Sequence, residues 1–131
     1  MKKVLAVLAI CAIAGCTNKE EQALAGAENF LDAYLANDYI KAAECCTGDL
    51  KAELDNVLAD FRQLDSNVRA LLVSECSQYR AEVGPVERIG DSDTIKVNYR
   101  IIKGESDTQV MENVITSSLK VLDGKILKIG E

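Results

Sequence analysis

Ile95-Lys96-Val97-Asn98-Tyr99-Arg100-Ile101 is the stretch that decides the fold. Ile95, Val97, Tyr99 and Ile101 fall on one side and Lys96, Asn98 and Arg100 on the other. A period of two with one apolar side describes a strand buried on a single face. Upstream, Tyr79, Ala81 and Val83 alternate in the same way up to Gly84-Pro85, a pair expected to bulge or bend its strand because proline has no amide to donate. Gly90-Asp91-Ser92-Asp93 reads as a turn between the two. Downstream, Gly104 to Asp107 turns the chain back. Val110 to Val121 then places Met111, Asn113, Ile115, Ser117, Leu119 and Val121 on one face. Asp123-Gly124 predicts a tight hairpin into Lys125 to Ile129. From about Cys76 onward the chain therefore reads as a four-stranded antiparallel meander.

Before Cys76 the period is helical. Leu24, Ala27, Phe30, Leu31, Tyr34 and Leu35 give one apolar face to a helix from about Gln22 to Ala36. Asn37-Asp38 interrupts it, and Asp38 is placed to cap a short helix from Tyr39 to Cys46. After the break at Thr47-Gly48-Asp49, Leu50, Leu54, Val57, Leu58 and Phe61 begin a stripe that continues through Leu64, Val68, Leu71 and Leu72. Its fours and threes resemble a heptad seam, but the repeats are few. Asp65-Ser66-Asn67 in its middle favours a cap or turn, since these side chains compete for nearby backbone hydrogen bonds. Two helices with a bend or break between them are expected, the second reaching about Glu75, with the whole stripe packed on the sheet. Helices first and strands afterwards make an α+β fold, with N-terminal helices covering one face of a curved sheet. Residues 26–131 are expected to form that single domain.

The N-terminus has a different character. In residues 1–16, MKKVLAVLAICAIAGC, Lys2 and Lys3 are a basic start, Val4 to Ile13 an apolar run too short for the roughly 20 residues of a spanning helix, and Ile13-Ala14-Gly15-Cys16 a small-residue cleavage box. This resembles the lipobox of bacterial lipoproteins. The resemblance implies a signal peptide over residues 1–15, diacylglycerol and a further acyl chain such as palmitate on Cys16, and a chain held on a membrane of the cell envelope, with the outer membrane expected. Residues 16–25 then read as a lipidated polar tether. Within it, Lys19-Glu20-Glu21 is similar to the lysine-plus-acidic surface-export signal of Bacteroidota lipoproteins, which would imply display outside the cell.

Removing 15 of the 131 residues leaves 116, enough for one domain. Lys2 and Lys3 leave with the signal, so the formal charge of −6 becomes −8. Such an acid excess argues against nucleic acid and anionic headgroups as partners, and the bilayer is then engaged through the acylated Cys16 alone. With Cys11 discarded and Cys16 acylated, Cys45, Cys46 and Cys76 remain. They are read as buried free thiols, with a disulfide from Cys76 to either Cys45 or Cys46 as the alternative if their Cα atoms approach within about 7 Å. The chain has no histidine, and adjacent Cys45-Cys46 lacks zinc-knuckle spacing, so no metal or other cofactor is expected. No nucleophile–base pair or phosphate loop appears. Asp32 is the one carboxylate worth naming as a proton acceptor, and an unpaired aspartate on a helix is ordinarily solvated.

The element order, Phe30-Leu31-Asp32-Ala33-Tyr34 followed by Asn37-Asp38-Tyr39-Ile40-Lys41-Ala42-Ala43, and the closing Val121-Leu122-Asp123-Gly124-Lys125 hairpin resemble small lipoproteins of the nuclear transport factor 2-like superfamily. That resemblance implies a cone-shaped α+β roll with a pocket under its helices. Enzymes of the superfamily use an Asp or Asp-His pair there, whereas this chain has no histidine and carries Ile126-Leu127 where a tryptophan often stands. The expected function is that of a non-catalytic envelope lipoprotein binding a partner protein or a small apolar ligand. A structural or immunity-type lipoprotein is the alternative, and an isomerase or dehydratase a third.

Overall fold

In the computed structural model, the described residues are 19–90, 93–103 and 112–130, with side chains omitted at 112–114. Four helices, α1 (Lys19–Leu35), α2 (Tyr39–Glu44), α3 (Gly48–Gln63) and α4 (Ser66–Cys76), precede four strands, β1 (Tyr79–Arg88), β2 (Ile95–Lys103), β3 (Glu112–Leu122) and β4 (Lys125–Ile129). The strands form one antiparallel sheet in the order β1-β2-β3-β4. The fold is α+β, as the change of period predicts.

The central strand behaves as its alternation requires. Ile95, Val97, Tyr99 and Ile101 are buried beneath the helices, while Arg100 on the other face is exposed and donates to Glu82 at 2.6 Å and 2.9 Å. Arg80 pairs with the second oxygen of Glu82 at 3.1 Å. These cations hold the Glu82 carboxyl below its ordinary value, the Arg100 hydrogen bonds most of all. The register of β1 against β2 shifts between Val83 and Val86, around the Gly84-Pro85 pair, so the expected bulge is present. Further shifts lie at Ile101/Ile102 and Lys120/Val121; such irregularities bend a strand and increase its local twist. Asp123 and Gly124 both have positive φ, 51° and 78°, and Leu122 pairs with Lys125, giving the two-residue hairpin. On β3, Leu119 and Val121 are buried but Ile115 is 49 % exposed. The turns expected at Gly90–Asp93 and Gly104–Asp107, together with Met111 and the side chain of Asn113, lie partly or wholly outside the described residues.

Helix α1 begins at Lys19, earlier than Gln22 and inside the stretch expected as a tether over 16–25, of which 16–18 lie outside the described residues. Ala23 is buried to 1 % exposure and belongs to the core. The sequence pattern does not mark this burial, because an alanine face contributes little hydrophobic contrast while still allowing close packing. Glu20 and Glu21 in the first turn suit the positive end of the helix. The helix ends where Asn37 takes φ 60°. There the Asn37 amide donates to the Tyr34 carbonyl and the Asp38 amide to that of Ala33, a left-handed cap that satisfies the last carbonyls. Asp38 then accepts from the Lys41 amide at 3.2 Å and starts α2.

Gly26 sets how closely α1 lies on the sheet. A Cβ at this position would overlap the Gly124 carbonyl of the β3–β4 turn, so helix and hairpin touch backbone to backbone. Just past the same turn, the Ile126 amide donates to the Cys45 carbonyl at 2.8 Å and the Thr47 amide to the Ile126 carbonyl at 3.0 Å. Cys46 thus forms an isolated parallel bridge to β4.

The long stripe divides where Asp65-Ser66-Asn67 predicts. Asp65 accepts from the Asn67 amide at 3.1 Å and caps α4. The expectation that the whole stripe packs on the sheet fails beyond that point. Leu50 and Leu54 are buried and Val57, Leu58 and Phe61 partly so, with α3 lying chiefly on α2 and only secondarily on β4. In α4 no residue is buried: Val68, Leu71, Leu72 and Val73 are 37–69 % exposed. Helical periodicity identifies an apolar face; it does not specify what covers it.

Candidate functional site

Between the C-terminal half of α1 and the helix-facing side of the sheet lies an apolar cleft of about 330 Å³. Phe30 and Leu31, with Tyr34 and Leu35 one turn further on, reach it from one face of α1. Tyr79 from β1, Tyr99 and Ile101 from β2, Ile115 from β3 and Ile129 from β4 form the opposite wall. Pairing of Tyr79 with Lys103 and of Ile101 with Ile115 brings the start of β1, the end of β2 and the start of β3 to the same end of the sheet. The exposed Ile115, Ile129 and Tyr34 stand at the mouth.

The aromatic residues converge here. The chain has two Phe, four Tyr and no Trp, and Phe30, Tyr34, Tyr79 and Tyr99 all line the cleft. The remaining two continue a stack behind it. Phe30 and Tyr34 lie 5.8 Å apart, Tyr34 and Tyr39 5.6 Å and nearly perpendicular, Tyr39 and Phe61 5.3 Å and edge-on. Edge-to-face pairs are favourable because the positive ring edge meets the negative face. Asn37 donates to the Tyr39 hydroxyl at 2.8 Å, yet burial outweighs that bond and raises the Tyr39 pKa. Lys103 lies 5.9 Å above the Tyr79 ring and puts one positive charge near the rim. The three tyrosine hydroxyls are the only side-chain polar groups among the described lining residues, so the cleft suits an apolar body with a limited number of hydrogen-bonding groups.

The residues singled out in the sequence are mostly elsewhere. Asp32 is exposed and lines two other pockets, one with Glu28 and Glu82 and one with Val73 and Cys76, not the apolar cleft. Cys45, Cys46 and Cys76 are free thiols, and the alternative of a disulfide from Cys76 is not realised. Cys46 is buried against its own helix, donating to the Ala42 carbonyl at 3.2 Å, and burial pushes its pKa up to about 11. Cys76 instead ends α4 beside Leu35 and Ala36. Burial also raises Cys45. Cys16 lies outside the described residues. Lys19 and Glu20 are held by the domain, Lys19 to Asp93 at 2.8 Å and Glu20 to Arg88 at 3.3 Å. No described helix is long and apolar enough to cross a membrane.

A pocket under the helices is what the superfamily resemblance implies, but its lining is not marked in the sequence, because Phe30, Tyr34 and Tyr99 occupy ordinary core positions in their periodic patterns. The available signal was compositional: a chain with six aromatics places two of them one turn apart on its first helix. No family profile matches the chain, and comparison with curated proteins and with solved structures yields no match.

Proposed function

We propose that the protein is a lipid-anchored envelope lipoprotein, acylated at Cys16, whose domain holds a small apolar ligand in the cleft between α1 and the sheet. The observation that carries the reading is the convergence of four of the six aromatic side chains on one open apolar space of about 330 Å³, within the size range of small-molecule sites. The role is one of binding. The cleft walls contain no carboxylate or thiol among the described residues. The Ile13-Ala14-Gly15-Cys16 box supports the anchor, and the same architecture is compatible with the nuclear transport factor 2-like resemblance.

The ligand half is tested by titrating the protein with the neutral apolar dye N-phenyl-1-naphthylamine. Saturable binding is expected, weakened at least tenfold by Ile115→Glu, which places a charge at the mouth without removing a core residue. Dye binding that is unsaturable, or insensitive to Ile115→Glu, would refute it. The anchor half is read separately: Cys16→Ala should abolish incorporation of labelled palmitate, and persistence of the label would remove the anchor while leaving the cleft untouched.

A further inference from the structure

Helix α4 is the one described helix with no buried residue, and no other described element packs extensively against it. An isolated helix of 11 residues is marginal in water, and α4 does not compensate with a polar surface. Val68, Leu71 and Leu72 follow one another at i, i+3 and i+4 and are 42 %, 69 % and 37 % exposed, with Val73 beside them at 46 %. Leu64, at the break before the helix, is 36 % exposed. Contiguous apolar side chains of this kind mark an interaction surface more often than isolated ones do.

The charges around this face select among occupants. Asp65 stands at the N-terminal end of the stripe and Glu75 at the other. From Gly48 to Cys76, α3 and α4 together carry Asp49, Glu53, Asp55, Asp60, Asp65 and Glu75 against Lys51, Arg62 and Arg69, an excess of three negative charges. Arg69 lies between Asp65 and Glu75 on α4, so two copies meeting here would bring together surfaces of the same net sign without matching charge for charge, and an anionic lipid surface would be repelled. The position of α4 also disfavours the bilayer, a point that rests on the proposed anchor at Cys16. The anchor lies three residues before Lys19, where α1 begins. The C-terminal end of α4 instead packs near Asp32, Leu35 and Ala36 at the far end of α1, about 25 Å along a 17-residue helix.

We infer that the outer face of α4 docks a partner protein through an amphipathic segment whose apolar side is flanked by Lys or Arg. Such a segment would lay its own apolar face on Val68, Leu71 and Leu72 as helices do in hydrophobic grooves. Its basic flanks would meet Asp65 and Glu75 and give the encounter its salt dependence.

The test uses the full chain reconstituted in phosphatidylcholine vesicles, with empty vesicles subtracted, and two labelled synthetic 18-residue amphipathic helices that share leucines at every third or fourth position and differ only in Lys or Glu flanks. The Lys-flanked peptide is expected to bind saturably and at least tenfold more tightly than the Glu-flanked one, and less tightly as salt is raised. Leu71→Asp and, independently, Val68→Asp should each weaken it at least tenfold, and Glu75→Lys should narrow the preference between the peptides at least threefold. Far-UV circular dichroism and the naphthylamine titration should be unchanged in these variants, since the substituted positions are exposed and lie outside the cleft. Equal binding of both peptides, or binding indifferent to Leu71→Asp and Val68→Asp in variants that pass those controls, overturns the inference. So does a dimer in sedimentation that Leu71→Asp dissolves, which would make a second copy the occupant. A probe at position 71 whose emission shifts on bilayer contact would likewise replace the partner with the membrane. Palmitate labelling of the same preparation is scored separately, so loss of the anchor does not count against the peptide result, which can be repeated in solution.

Discussion

Helices α1 and α4 are about equally apolar overall and meet opposite fates. In α1, Ala23, Ala27, Phe30, Leu31 and Ala33 are buried, whereas in α4 nothing is. The difference does not lie in hydrophobicity, since three of the five buried residues of α1 are alanines and the exposed face of α4 is valine and leucine. It lies in how near a helix can come to what it packs on. Small side chains and Gly26 let the α1 backbone approach the hairpin closely, while α4 starts afresh at the Asp65 cap and packs extensively on no described element. Apolar content tells where a helix can bury surface; the elements around it decide whether that surface is covered within its own domain.

Truncation should expose this contrast most plainly. Phe30→Ala, at a fully buried position that also supports the cleft wall, is expected to cost about 3–5 kcal/mol in urea unfolding, against a typical total of about 5–15 kcal/mol. Dye binding should fall with it. Gly26→Ala, a substitution that ordinarily strengthens a helix, should here destabilise by about 1–3 kcal/mol because the added methyl must displace the Gly124 backbone. A neutral or stabilising result would mean that the close approach does not hold α1 in place. Phe61→Ala falls between the two regimes. Phe61 is partly buried and stacks on Tyr39 instead of the sheet, so about 1–2 kcal/mol is expected, below a full core truncation. Leu71→Ser should change the unfolding midpoint of the isolated chain by no more than about 0.5 kcal/mol; a loss comparable to Phe30→Ala would show that α4 is packed after all.

The smallest effect is expected at the Arg80–Glu82–Arg100 cluster on β1 and β2. Arg100 and Arg80 hold the Glu82 pKa below its ordinary 4.5. A depressed folded-state value stabilises the fold above the ordinary carboxylate range, and that contribution is lost as pH falls through the folded value. Glu82→Gln should therefore slightly flatten the decline of the urea midpoint between neutral pH and pH 3, with little effect on solvent-screened stability otherwise.

Much of the architecture was legible because period and punctuation agree. The switch from helical to alternate spacing after Cys76, the cap at Asp38, the break at Asp65, the bulge around Gly84-Pro85 and the Asp123-Gly124 turn all rest on local chemistry. What escaped depends on distant residues. The early start of α1 rests on Ala23 meeting the core and on Lys19 and Glu20 finding Asp93 and Arg88. Exposure of Ile115, in line with buried Leu119 and Val121, follows from its lying at the end of β3 where the cleft opens. The cleft itself is assembled from five elements, and no spacing within a single segment encodes it.

The backbone contact between Gly26 and Gly124 joins positions 98 residues apart. Helix α1 is the first described element to leave the ribosome, yet its seat includes a turn near the end of the chain, so its close packing must wait until β3 and β4 have been synthesised and paired. Contacts this distant in sequence slow folding because a long loop must close before they form. The first helix therefore emerges early and is covered late. Any factor that escorts the unfinished chain meets an exposed α1, with Phe30 and Leu31 uncovered, until β3 and β4 have emerged.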